Sequence, residues 1–289
     1  MTAETGPPRA VRADAALAAA EPFLDRRPLL IVSDFDGTLS HISIDPWGAS
    51  IVPLARRSLR LLAAMRNVHV AILSGRTAAD VAGRARIGGV TYLGNHGMER
   101  GRLLRRQRAD TLEVVVQQTP HHYGQAVEEL ARRMPELIPE SWLVVERKTP
   151  AIAFHYRTAP DFEAAAEQVR AAVDQLDPSG EFVRFPGRRV LELRPPGVMA
   201  KGEAMRSLIE EQRPAAVLML GDDRSDALAF TVLTGARAAG ETAGLAIAVQ
   251  AHAEAPPEVA RAADVLLASP VQAARFLSGL ARRLARTAS

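Results

Sequence analysis

Apolar runs and amphipathic stretches take turns along the first hundred residues. Residues 29–33 (Leu-Leu-Ile-Val-Ser), 68–73 and 90–93 are short, mainly apolar runs closed by turn-forming residues, and they predict buried strands. Between them Leu54, Leu59, Leu62 and Met65 recur near helical spacing, which predicts a helix over 54–65, and 77–84 begins another. Strands alternating with helices argue for a parallel sheet with crossover helices. The rhythm then changes. Residues 101–116 read as strand and loop, 125–134 as a helix, and 142–146 and 151–156 as paired strands. An Ala-rich helix over 161–176 follows Pro160, a usual place for proline near a helix start, and strands follow at 182–184 and 190–193.

The first rhythm resumes with a helix at 201–212, strands at 216–220, 245–249 and 265–266, and a closing helix at 271–286. The expected fold class is therefore α/β. A doubly wound parallel-sheet core over 28–104 and 195–289 is interrupted by an α+β unit over 105–194, which is a plausible small domain by size. Hinges are expected near 101–105 and 194–197. Residues 1–27, rich in Ala and Pro and broken by Glu4, Arg9, Arg12 and Asp14, read as a flexible leader with a short helix at 15–24.

Composition narrows the function classes. At 289 residues and 47% hydrophobic, the chain can bury a real core. It has no cysteine, so disulfides and thiolate metal sites are excluded. No apolar run approaches the ~20 residues that span a bilayer, and residues 1–27 lack a basic start followed by an apolar stretch. We therefore expect a cytoplasmic protein without a membrane partner. The formal charge of +3 is spread thinly and aromatics are 4%, which argues against a nucleic-acid surface. Residues 100–108 carry five arginines and read as a solvated hairpin. Of 36 basic residues only Lys148 and Lys201 are lysines, and both fall inside motifs.

The chemistry gathers where apolar strands end. The first run leads into Asp34-Phe35-Asp36-Gly37-Thr38, the second into Ser74-Gly75-Arg76, and the run at 216–220 into Gly221-Asp222-Asp223 with Asp226 beyond; Lys201 opens the helix after the insertion. Ligands of open α/β sheets bind at this carboxyl edge. Any one of these segments alone is an ordinary turn; their co-occurrence in this order carries the signal. Asp34 is placed to attack phosphorus and Asp36 to exchange protons with the leaving group and water. Thr38, Ser74 and Gly75 would hold phosphoryl oxygens, and Lys201 would offset their charge. Asp34, Asp36, Asp222 and Asp223 form a hard-oxygen set suited to magnesium, with Asp226 orienting Lys201 or the ligands of the ion.

These motifs resemble those of the haloacid dehalogenase (HAD) superfamily of aspartate-nucleophile phosphatases, and the insertion is similar to that superfamily's α/β cap. Glu146-Arg147-Lys148, Phe154-His155-Tyr156-Arg157, and Leu191-Glu192-Leu193-Arg194-Pro195 before Gly197 and Lys201 resemble the trehalose-6-phosphate phosphatase family. Asp45-Pro46 and Gly94-Asn95-His96-Gly97 fit the same family, and the likeness runs from about residue 29 to 230. The resemblance implies a HAD-like core, a magnesium cofactor, and sugar hydroxyls bound by Glu146, Lys148, Arg157 and Glu192. Two departures stand out: Ala227 follows Asp226 where the family usually has Glu, and Phe35 replaces a common Tyr. The expected activity is hydrolysis of trehalose 6-phosphate by a monomer through an aspartyl phosphate. A phosphatase for another phosphosugar, such as a sucrose or glycosyl-glycerate phosphate, is the alternative within the class. A catalytically silent sugar-phosphate binding protein is the alternative outside it.

Overall fold

The computed structural model describes residues 9–43, 48–197, 200–250 and 257–287. Asp45 and Pro46 lie outside the described residues. The chain divides into two compact units, one formed by Met1–Val116 with Met199–Ser289 and the other by Gln117–Val198.

The first unit begins with β1 (Ala10–Val11) and α1 (Ala13–Ala20), then β2 (Leu29–Ser33), α2 (Pro53–Leu62), β3 (Val68–Leu73), α3 (Ala78–Ala85), β4 (Val90–Gly94), β5 (Glu99–Arg102) and β6 (Val114–Val116). The second unit holds α4 (His121–Leu137), β7 (Val144–Lys148), β8 (Ala151–His155), α5 (Phe162–Leu176), β9 (Val183–Gly187) and β10 (Val190–Arg194). The first unit then closes with α6 (Lys201–Gln212), β11 (Ala216–Gly221), α7 (Arg224–Ala238), β12 (Ala243–Val249), α8 (Pro257–Ala262), β13 (Val265–Leu267) and α9 (Pro270–Thr287).

Among the described residues, nine strands form the sheet of the first unit in the order β1-β13-β12-β11-β2-β3-β4-β5-β6. Strands β1 to β4 and β11 to β13 run parallel, and β5 and β6 are antiparallel additions. From β2 the chain builds outward on one side through β3 and β4, and later fills the other side from β11. The switch point therefore falls between β2 and β11, where a ligand crevice opens in such sheets. Their ends are level: Ser33 pairs with Leu220 of β11 and with Ile72 of β3.

Both faces of this sheet are covered, which is why its strands read as unbroken apolar runs. Leu29 and Ile31 point to one layer, shared with Phe276 and Leu280 of α9 and Leu59 of α2; Leu30 and Val32 point to the other, shared with Leu208 of α6 and Phe230 of α7. The second unit has its own core beneath a four-stranded antiparallel sheet, β7-β8-β10-β9. Val127 and Met134 of α4 and Val169 and Val173 of α5 pack on Ile152, Phe154, Leu191 and Leu193, so both helices cover one face.

Three expectations change. Residues 10–24 are not a flexible leader: β1 pairs with β13, and Ala16, Ala20 and Leu24 are buried against the core. Small side chains let α1 pack closely while giving little apolar signal. The inserted unit spans 117–198 rather than 105–194, because β5 and β6 extend the sheet of the first unit. Helix α7 follows directly on Asp222 and Asp223, in a stretch where no element was predicted. Among the described residues no helix is long and apolar enough to cross a membrane.

Candidate active site

Asp34, Ser74 and Asp222 sit where strands of the first unit end, and Lys201 opens α6. The backbone N–H of Asp34 donates to Leu220 O at 2.9 Å, tying the end of β2 to β11. The Asp34 carboxylate is buried; its Oδ1 accepts from Lys201 Nζ at 2.7 Å, while its Oδ2 is buried without a partner among the described residues. Burial pushes the Asp34 carboxyl up to about 6, with Lys201 opposing. Lys201, at the first turn of α6, also reaches Asp226 Oδ1 at 2.8 Å. Burial disfavours its charge, but Asp223, Asp226 and Asp34 more than offset this and hold the ammonium well above its ordinary range.

Asp226 is a brace. It is fully buried, and besides Lys201 it accepts from the N–H groups of Asp222 and Asp223 at 3.0 and 3.1 Å. Asp223 is the N-cap of α7, accepting from the Asp226 N–H at 3.0 Å and from Ser225 Oγ at 2.6 Å. The two acids thus form a capping box, which satisfies N–H groups a helix start leaves open. Asp222 is buried beside Asp34, and burial followed by the charges of Asp34, Asp223 and Asp226 raises its carboxyl well above the ordinary range. Thr38 Oγ1 donates to Asp222 Oδ1 at 3.2 Å. Gly37, with φ +82°, lets the loop approach: a Cβ there would lie 2.1 Å from Asp222 Oδ2.

Oxygen atoms of Asp34, Asp222 and Asp226 lie within 4.8 Å of one another. Among the described residues three buried carboxylates face one ammonium, and Asp34 Oδ2 has no partner. This oxygen-only, negatively charged set fits a magnesium ion, which favours hard carboxylate ligands. Asp226 already accepts three hydrogen bonds, so Asp34 and Asp222 are the side chains that would hold the ion.

Two expected ligands are not in this group. The Asp36 carboxylate is turned to Arg76, whose Nε and Nη2 donate to it at 2.6 and 2.8 Å. A planar guanidinium matches a carboxylate in this way at both oxygens. Arg76 is held in turn by Asp80 at 3.0 Å, and Asp80 by Arg84 at 2.9 Å. Asp223 is occupied by its capping role and is 52% exposed, against 6% for Asp34. Asp226, expected only as a support, joins the group because α7 turns it inward.

The Ser74 loop is held from behind. Ser74 is buried, its Oγ accepts from the Arg76 N–H at 3.1 Å, and its hydroxyl hydrogen remains to donate. Gly75 lies against His96, whose Nε2 would be 2.8 Å from a Cβ at that position. Asn95 N–H donates to Arg76 O, and His96 N–H to Ser74 O. Glu99 accepts from Asn95 Nδ2 and from the Ala78 N–H at the start of α3, both at 2.6 Å. Arg76, Asp80, Asn95 and Glu99 were not among the expected site residues. The signal available for them was a polar Gly-Asn-His-Gly turn and an acid following it by two residues. Ala227 packs on the second core layer, so the position where the family usually has Glu is apolar here.

In the second unit, Glu146 and Lys148 of β7 and Glu192 of β10 come together. Lys148 Nζ stands 3.6 Å from Glu146 Oε2 and 3.4 Å from Glu192 Oε2. All three lie on the sheet face away from α4 and α5, with Ala151 and Ala153 between them. Arg157, half-buried, lies two residues past the end of β8, outside the strand pairing that carries the other three.

The trehalose-phosphatase family profile matches residues 32–264. The chain belongs to the trehalose-phosphatase family. A trehalose-phosphate phosphatase of Mycobacterium bovis is 32% identical over 282 residues, 93% of this chain and 65% of that protein. An uncharacterized glycosyl hydrolase of Mycobacterium tuberculosis is 34% identical over 220 residues, 71% of this chain and 15% of that protein. The chain thus spans less than two thirds of the length of these curated relatives. Among solved structures, the C-terminal domain of the Candida albicans trehalose-6-phosphate phosphatase superposes with a TM-score of 0.74 at 22% identity, covering 96% of this chain and 99% of that one. A haloacid dehalogenase-like hydrolase from Bacteroides thetaiotaomicron shares the fold with a TM-score of 0.56 at 18% identity, covering 89% and 98%. The family fold is HAD-like, as the motif order implied.

Proposed function

We propose that this member of the family hydrolyses trehalose 6-phosphate to trehalose and inorganic phosphate, with magnesium as cofactor. One observation carries the reading: a buried carboxylate, Asp34, with one oxygen on Lys201 and the other unpartnered among the described residues, beside Asp222. An unpartnered buried oxygen costs about 1–3 kcal/mol, so the position favours a ligand that engages it.

Asp34 attacks phosphorus, the bond to the sugar oxygen breaks, and an aspartyl phosphate forms on Asp34. Asp36 gives its proton to the departing sugar oxygen, then takes one from the water that attacks the aspartyl phosphate and releases phosphate. This role requires Asp36 to turn from the Arg76 fork toward the reacting oxygen. Lys201, Thr38, Ser74 and the Gly75 backbone stabilise charge on the phosphoryl oxygens. Magnesium bound by Asp34 and Asp222 would lower the repulsion between carboxylate and phosphate. Glu146, Lys148, Arg157 and Glu192 would select the sugar, since carboxylates accept from hydroxyls and cations donate to them. The proposed setting is the cytoplasm, with a monomer acting on a small phosphosugar.

The test is phosphate release from trehalose 6-phosphate, glucose 6-phosphate and sucrose 6-phosphate, each with magnesium and with a chelator. Magnesium-dependent release, selective for trehalose 6-phosphate, supports the reading. Release from another sugar phosphate alone keeps the Asp34 chemistry and discards the substrate. No release from any, with binding retained, favours a sugar-phosphate sensor.

A further inference from the structure

The polar face of the second unit's sheet holds more charge than the expected sugar contacts account for. His155, at the end of β8, and Arg194, at the end of β10, flank the group of Glu146, Lys148 and Glu192. His155 Nε2 lies 2.8 Å from Glu146 Oε2, and Arg194 Nε donates to Glu192 Oε1 at 2.7 Å. Both side chains are more than nine-tenths buried: His155 is 8% exposed and Arg194 5%. The Arg194 guanidinium also lies over the Phe185 ring, 4.3 Å from its centroid, which fixes its plane. The result is a ladder of polar contacts in the order His155, Glu146, Lys148, Glu192, Arg194, in which each carboxylate lies between two donors.

Lys148 alone would not orient the two acids. It is a flexible point charge shared between them at 3.4 and 3.6 Å. The close contacts are the outer ones. They hold one oxygen of each carboxylate, so the direction of the remaining lone pairs is set by His155 and Arg194. With Nε2–H donating to Glu146, His155 Nδ1 is left an acceptor that is buried and has no donor among the described residues. A histidine that kept its fold role by a second hydrogen bond would have used that nitrogen; here, among the described residues, the ring's polar contact is the one to Glu146.

We propose that His155 and Arg194 are positioning residues that fix the rotamers of Glu146 and Glu192 and so set this face's selectivity for a neutral, polyhydroxylated ligand. This rests on the proposed reading of Glu146 and Glu192 as the sugar-binding acids. A carboxylate pinned at one oxygen presents the other in a single direction, and pre-ordering of this kind lowers the cost of binding. Neither residue touches the phosphoryl group in this scheme, so their loss acts on KM for the sugar phosphate and spares the chemistry.

The test uses the full chain and two substrates, trehalose 6-phosphate and p-nitrophenyl phosphate, which has no sugar to select. His155→Phe keeps the ring shape and removes the donor; His155→Gln restores a donor at similar reach. Arg194→Lys keeps the charge and removes the fork. His155→Phe and Arg194→Lys are each expected to raise KM for trehalose 6-phosphate about 5- to 30-fold, the scale of a weakened charge-assisted hydrogen bond. Values of kcat should stay within about two-fold and p-nitrophenyl phosphate turnover unchanged. His155→Gln should recover most of the loss, and His155→Phe should add little to Glu146→Gln, because both act through one carboxylate.

If Glu146→Gln raises KM and His155→Phe and Arg194→Lys do not, the positioning role is wrong while the sugar site stands. If Glu146→Gln itself changes nothing, the sugar-site reading fails first. A parallel loss on both substrates would mark the two residues as merely structural and overturn the proposal. Should the phenylalanine variant fail to fold, nitrogen-15 spectra of the unsubstituted chain decide the His155 half. An Nε2–H ring whose signal moves in Glu146→Gln supports it, and an Nδ1–H ring overturns it.

Discussion

Gly37 and Asp34 show how narrowly single residues define the site. A Cβ at Gly37 would fall 2.1 Å from Asp222 Oδ2, and its φ of +82° is disfavoured for any L side chain. Gly37→Ala should therefore displace Asp222, cost about 1–2 kcal/mol in stability, and raise the magnesium concentration needed for half-maximal phosphate release. A magnesium titration matching the parent would remove Asp222 from the proposed ion site. Asp34→Asn keeps the shape of the side chain and removes the nucleophile. It should lower kcat by at least about a thousand-fold while sugar-phosphate binding, measured by calorimetry, survives. Residual turnover near that of the parent would mean that another group attacks phosphorus. Asp226→Ala probes the brace: Lys201 would lose a buried partner and the α7 start its N–H acceptor. Removing one member of a buried pair costs about 3–5 kcal/mol, so urea unfolding should shift strongly even where activity is not measured. A stability equal to the parent's would show that Asp34 alone can hold Lys201.

At the scale of elements, Tyr92 joins β4 to the end of α3: its hydroxyl donates to Ile87 O at 2.7 Å and accepts from the Ile87 N–H at 3.1 Å. Burial pushes its phenol up to about 12 from 10.0. A raised pKa means that the unfolded chain loses this proton first. The contribution is fully present below pH ~10 and is lost as pH rises through about 12, a change on the order of 2–3 kcal/mol. Tyr92→Phe should be less stable than the parent at pH 8 and should lose less between pH 10 and 12, as read by urea unfolding at each pH. Equal slopes would show that the phenol is not protected. The elements also explain what could be read in advance. The strands leading to Asp34, Ser74 and Asp222 were legible because both faces are buried, so each is an apolar run, interrupted in β3 only by His69, that ends in polar residues. Strands β5 and β6 were legible only as strand and loop over 101–116, without bounds, since an arginine-bearing strand beside a valine strand at a sheet edge has no distinctive period. The turn of Asp36 toward Arg76 depends on a partner 40 residues away, and sequence spacing does not specify a rotamer. Asp223-x-x-Asp226 was legible as a capping box once a helix is placed after it, and the apolar positions of α7 are too Ala-rich to announce that helix.

For the whole molecule, the question is what residues 10–24 contribute, since composition read them as part of a flexible leader with a short helix and the fold packs them against its core. They add β1 to the open side of β13, and α1 lies along α9 with Ala16 and Ala20 fully buried and Leu24 nearly so. Leu17 and Phe23 pack against the same layer. Removing them would expose the part of α9 that α1 covers, where Leu17 lies against Gly279. At about 1.5–3 kcal/mol for each large apolar side chain fully returned to water, and less for those only partly buried, the loss is on the order of 3–5 kcal/mol. That is a large part of the 5–15 kcal/mol typical of a folded domain, and for a unit of this size it corresponds to a fall in Tm of about 10 °C. The reactive groups sit at the ends of β2, β3 and β11, in the centre of the sheet, whereas β1 is its outermost strand. Deleting residues 1–24 should therefore lower Tm by about that amount and leave kcat at 25 °C within about two-fold of the parent. An unchanged Tm would return these residues to the role of a passive leader. A lost kcat in a chain that still unfolds cooperatively would mean that the edge of the sheet holds the central strand ends in place.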